Sequence, residues 1–155
     1  MVVEKIILIE VFNLKKLLSI FVCLFLVFSI SGCNNSDVAY MSGDEFTSQM
    51  KTYDGYEVYD LEANHPDVSR IVCASKEKPY TTFFYYEMKN DSYTKRFYEM
   101  NKGPVDLSDN GLKKSEKIDG SNYYIISQKG KSFIIAQCKV KDKSTILEIL
   151  STLGY

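Results

Sequence analysis

Three kinds of hydrophobic pattern follow one another along the chain. From Leu17 to Ile30 every position except Ser19, Cys23 and Ser29 is strongly apolar, and none is charged. Asn34-Asn-Ser-Asp37 then contains no apolar residue and reads as a tether. From Ser42 onward apolar residues recur in short, spaced sets, the pattern of amphipathic elements that share a core. The chain accordingly divides into a leader over 1–32, a junction and tether over 33–41, and one globular domain over 42–155.

Within the domain, Ser42-Gly-Asp-Glu45 is a capping box that opens a helix, with Phe46, Met50 and Tyr53 on one stripe. A short strand over Tyr56 to Leu61 and an Asn64-His-Pro-Asp67 turn come next. Strands over Val68 to Ser75 and Tyr80 to Met88 follow. The second is apolar on both faces, so it belongs at the centre of a sheet, covered on both sides. Asn90 or Asp91 caps a helix with a stripe of Tyr93, Phe97 and Met100. Residues Asn101 to Asn122 carry Gly103-Pro104, Asp109-Asn-Gly111 and Asp119-Gly120 and read as a long polar loop. A hairpin over Tyr123 to Gln128 and Ser132 to Val140 leads to a last helix, capped by Asp142 and stopped by Gly154. The pattern predicts an α+β fold: a two-layer, antiparallel sheet of about five strands with three helices mainly on one face, built as two β-β-α units plus an N-terminal helix and strand.

Charge narrows the partners. Residues 33–155 carry 16 basic and 18 acidic side chains, a net charge of −2, which argues against nucleic acid. The 123 residues from Cys33 onward suffice for one core and leave little room for two.

The leader has the parts of an export signal: Lys15 and Lys16, then the 14-residue apolar run. An uncleaved membrane span needs about 20 apolar residues. The run reaches that length only by recruiting Ile6 to Phe12 past the lysine pair. Its ending, Leu26-Val-Phe-Ser-Ile-Ser-Gly-Cys33, resembles the lipobox of bacterial lipoproteins, in which an apolar and two small residues precede a cysteine. The resemblance implies a diacylglyceryl group on the Cys33 sulfur and cleavage between Gly32 and Cys33. It also implies fatty acyl chains such as palmitate holding the domain on the outer face of the cell membrane. Ile30 stands where the lipobox more often has Leu. Two or three acyl chains give a stable anchor at about 0.8 kcal/mol per buried methylene. From the lipobox to the end in Leu153-Gly-Tyr155, the chain resembles small surface lipoproteins of Gram-positive bacteria, a likeness that brings no activity with it.

Of the four cysteines, Cys23 leaves with the leader and Cys33 takes the lipid. Cys73 and Cys138 either form a disulfide, which an exported compartment permits, or stay as two buried thiols. No metal spacing is present, no cofactor motif is found, and no catalytic residue can be assigned: His65, the single histidine, precedes Pro66 in a turn. The 12 tyrosines all lie after the leader. If the helix-free face of the sheet is partly open, Tyr59, Tyr85 and Tyr123 are its candidate binding members. The sequence therefore describes a membrane-anchored extracytoplasmic binding or interaction module for an extracellular protein or small ligand. The alternative is an exported enzyme, or an accessory subunit of an envelope enzyme or transporter.

Overall fold

The computed structural model describes residues 39–109 and 111–155. The leader, Gly32, Cys33 and the tether up to residue 38 lie outside the described residues; at the tether's end Tyr40 and Met41 are half-buried, and Met41 packs on the core. None of the described helices is long and apolar enough to cross a membrane.

Local chemistry sets the first element. Helix α1 (Gly43–Met50) begins where the Ser42 hydroxyl accepts the Glu45 amide at 3.3 Å and the Glu45 carboxylate accepts the Ser42 amide at 2.7 Å, the expected capping box. Strand β1 (Glu57–Leu61) follows, then β2 (Val68–Glu77) and β3 (Tyr80–Met88) as a hairpin. Asn90 caps α2 (Asp91–Asn101) by accepting the Tyr93 amide at 3.1 Å. A two-residue strand β4 (Val105–Asp106) pairs with β5 (Lys113–Asp119). Tight turns at Gly120 and Gly130, with φ of 57° and 53°, join β5 to β6 (Asn122–Lys129) and β6 to β7 (Ser132–Lys139). A 3₁₀ turn over Val140–Asp142 then leads into α3 (Lys143–Thr152).

The fold class is α+β, but the sheet has seven strands rather than five. Their order is β1-β2-β3-β7-β6-β5-β4, with every neighbouring pair antiparallel. The expected long polar loop over 101–122 therefore contains β4 and β5. Gly103 explains why the chain can fold back so closely: a Cβ there would lie 2.3 Å from the Glu116 carbonyl oxygen.

Side-chain alternation sends the strands' apolar residues to two separate cores. On one face α1 and α3 cover Val72, Phe83, Tyr85, Ile134 and Ala136, with Phe46, Met50, Ile146 and Leu150 supplied from the helices. On the other face α2 packs on Met88, Ile126 and Phe133 through Tyr98 and Phe97. Strand β3 is central and apolar toward both helix layers, as its composition predicts. Two of the three helices lie on one face, and the third covers the other, so the sheet is sandwiched between helices instead of forming two layers. The β-β-α units β2-β3-α2 and β6-β7-α3 exist, but their helices take opposite sides.

Two further expectations are corrected. The buried side of α2 is Thr94 and Tyr98, whereas Tyr93 and Met100 are 38% and 74% exposed. Asp142 stands at the N-cap of α3 but makes no side-chain cap hydrogen bond. Cys73 and Cys138 are free thiols, both buried. They stand on β2 and β7, separated by β3, about 9–10 Å of sheet against a disulfide Cα reach of about 7 Å. They also face opposite ways: Cys138 belongs to the two-helix core, and Cys73 alternates away from Val72 and Ala74, which line it.

Candidate functional site

The second face is only partly covered. Helix α2 lies over β3, β7 and β6 and leaves the face of β1 and β2 open beside it. Between the helix and the sheet runs a groove of about 630 Å³, within the range of small-ligand sites. One wall is the edge of α2 carrying Tyr93, Arg96, Phe97 and Met100, spaced three, four and seven residues from Tyr93 so that they align on one helix edge. The floor is Ile71 of β2 and Tyr86 of β3. Glu62, Asn64, His65 and Asp67, from the loop between β1 and β2, form the far rim.

Each wall has an identifiable support. Phe133 stacks on both Phe97 and Tyr86, with ring centroids 4.4 and 4.5 Å apart, which fixes α2 against β3 and β7. A bulge between Val68 and Arg70 turns Val68 toward the groove and Arg70 toward the other face. The rim loop is held by the Val68 amide on the His65 carbonyl at 3.1 Å and by the Lys89 amide on the Asp67 carbonyl at 3.0 Å.

His65 is 66% exposed, and its Nδ1 accepts the Asp67 amide at 3.2 Å while the Asp67 carboxylate lies 3.6 Å from the same nitrogen. An imidazole accepting at Nδ1 keeps its proton on Nε2, where it can donate to a ligand. Arg70, on the other side of the bulge, binds Asp60 at 2.7 Å and Asp44 at 2.5 Å. Its pKa is raised by these hydrogen bonds, with Asp60 the larger cause. Among the described residues neither Arg96 nor Glu62 forms an ion pair. Also among the described residues, no three His, Cys, Asp or Glu side chains converge as a metal site.

Of the tyrosines expected on an open face, only Tyr59 is there, 47% exposed on the same side as the groove. Tyr85 and Tyr123 are fully buried in the two-helix core. Their parity along β3 and β6 points them under α1 and α3. The Tyr85 hydroxyl donates to the Met41 carbonyl at 2.5 Å, and burial pushes its pKa up. The Tyr123 hydroxyl donates to the Glu116 carboxylate at 2.8 Å. Sequence reasoning missed Arg96 and Ile71 and found in Tyr93, Phe97 and Met100 a helix stripe without a role in binding. The missing signal was Tyr98, a second apolar edge on the same helix.

No family model matches the chain, and neither a curated protein nor a solved structure matches it.

Proposed function

We propose that this protein is a lipid-anchored binding module on the outer face of the cell membrane, and that it holds its ligand in the groove between α2 and the β2–β3 face. The observation that carries the binding reading is the groove itself. It is concave and apolar at the floor, and Tyr59, Leu61, Tyr93 and Met100 stand exposed on the same face of the sheet. Contiguous exposed apolar surface of this kind marks interaction sites on soluble domains. The polar groups of the rim are few and set on one side, as in sites that bind by apolar contact and orient by hydrogen bonds.

The anchor reading rests on the lipobox-like Ser31-Gly-Cys33 ending, with Cys33 lipidated and Gly32 before the cut. Labelling cells with a radioactive fatty acid tests it: the wild-type chain takes up label and Cys33→Ala does not. Equal labelling of the two chains removes the anchor. A photo-crosslinking residue at Met100 in living cells tests the groove. An adduct forms there and not from Ser48, on the outward side of α1. Equal labelling from both positions, or none from Met100, removes the binding reading.

A further inference from the structure

The charges around the groove narrow its ligand. The Asp67 carboxylate lies against His65 and is 25% exposed, so the exposed charges of the lining are Arg96 on the helix wall and Glu62 on the loop rim. These two are opposite in sign, and among the described residues each lacks an ion-pair partner. The contrast with Arg70 is direct: that arginine, the only other one in the chain, is bound by two carboxylates.

A singly charged amphiphile of either sign meets complementary charge on one side of the groove and like charge on the other. A molecule with both charges on an apolar body meets complementary charge at both. We propose that the groove binds a short apolar peptide by its two free ends, the α-carboxylate on Arg96 and the α-ammonium on Glu62. Its side chains then lie over Ile71, Tyr86 and Phe97. This deepens the groove reading and rests on it. The guanidinium suits a carboxylate because its forked donors match two oxygens. The Asn64 side-chain amide and the Nε2–H of His65 offer further partners to peptide carbonyls. The two methionines in the lining, Met88 and Met100, are adaptable surfaces, so the site accepts different apolar side chains and reads the termini. The volume of about 630 Å³ is of small-molecule size and gives room for a peptide of about three residues.

The test uses the full chain reconstituted in phosphatidylcholine vesicles and tritiated trileucine, with binding read by co-sedimentation. Trileucine amide, N-acetyl-trileucine and the doubly capped peptide compete. Each cap is expected to weaken binding about tenfold, one charge-assisted contact. Arg96→Gln should abolish discrimination against the amide only, and Glu62→Gln discrimination against the acetyl form only. Both positions are exposed, and circular dichroism checks that the variants fold. Capped and free peptides binding alike, or both variants weakening every peptide equally, overturns the two-ended peptide and leaves a groove that binds by apolar contact. No binding of any trileucine form also overturns it, and the Met100 crosslink then judges the groove independently.

Discussion

Lys143 in the first turn of α3 reaches across to Glu116 of β5, Nζ to Oε2 at 2.7 Å. The Tyr123 hydroxyl donates to the same oxygen, and the Lys143 ammonium sits 4.8 Å from the centre of the Tyr123 ring. The carboxylate is only 14% exposed, and the hydrogen bond from Lys143 holds its pKa below the usual range. A helix and the strand two places away in the sheet are thus joined by one acidic side chain.

Glu116→Ala leaves a buried hydroxyl and a half-buried ammonium without their acceptor, at an expected cost of about 1–3 kcal/mol. Glu116→Gln keeps an acceptor and costs less. The depressed folded-state pKa gives stability that is present above 4.5, the ordinary value, and is lost as pH falls through the lower folded value. Urea midpoints from pH 6 to pH 3 should therefore fall less steeply for Glu116→Gln than for the wild type. Parallel curves would show that this carboxylate is not coupled to folding.

Alkaline pH works on the opposite groups. Burial pushes the Cys138 thiol from 9.0 up to about 11 and the Tyr155 hydroxyl from 10.0 up to about 12; Tyr85 and Tyr123 are also raised by burial. Each is neutral when folded, and the unfolded chain ionises first, so stability is full below about pH 9 and falls as pH rises through the folded values. Cys138→Ala should move the start of that fall upward, toward the tyrosine range. Urea midpoints at pH 8, 9.5 and 10.5 measure it, and an unchanged onset would place the effect on the tyrosines alone.

Phe133 is fully buried between Tyr86 and Phe97. Phe133→Ala is expected to cost about 3–5 kcal/mol, through lost burial and a cavity the stacked rings cannot fill. Phe97→Ala removes the contact from the helix side only. Amides of α2 should then exchange with solvent ahead of those in β3 and β7. Hydrogen exchange with mass spectrometry reads the order, and loss of protection throughout the sheet at once would show that α2 is not a separate unit.

The two domain thiols are expected to remain unpaired even under oxidising conditions. Mass spectrometry of alkylated, unfolded protein should find Cys73 and Cys138 modified without prior reduction. Reductant should leave the urea midpoint where it was. A Cys73–Cys138 bridge in the digest would contradict the separation of the two side chains across the sheet.

Much of this fold is written locally. The capping box of α1, the central place of β3 and the β6–β7 hairpin each follow from residues within one element. What escaped depends on partners far along the chain. In β5, Lys113-Lys-Ser-Glu-Lys-Ile-Asp119 has one large apolar residue, Ile118, and that residue is exposed. The segment is a strand because β6 pairs with it and Tyr123 and Lys143 engage its carboxylate, none of which is legible within the segment. The groove was hidden for a related reason. Helix α2 has two apolar edges, and only the stack on Phe133 decides that Tyr98 turns inward and Met100 out. The choice of tyrosines failed on the same point: parity separates the two faces of a sheet but does not say which of them the helices cover.

The hydrogen bond from Tyr85 to Met41 ties the segment before α1 into the folded body. It pins the stretch before α1 to the two-helix side of the sheet, while the groove opens on the other side. Residues 39–42 therefore belong to the folded body on the two-helix side, and none of them lines the groove.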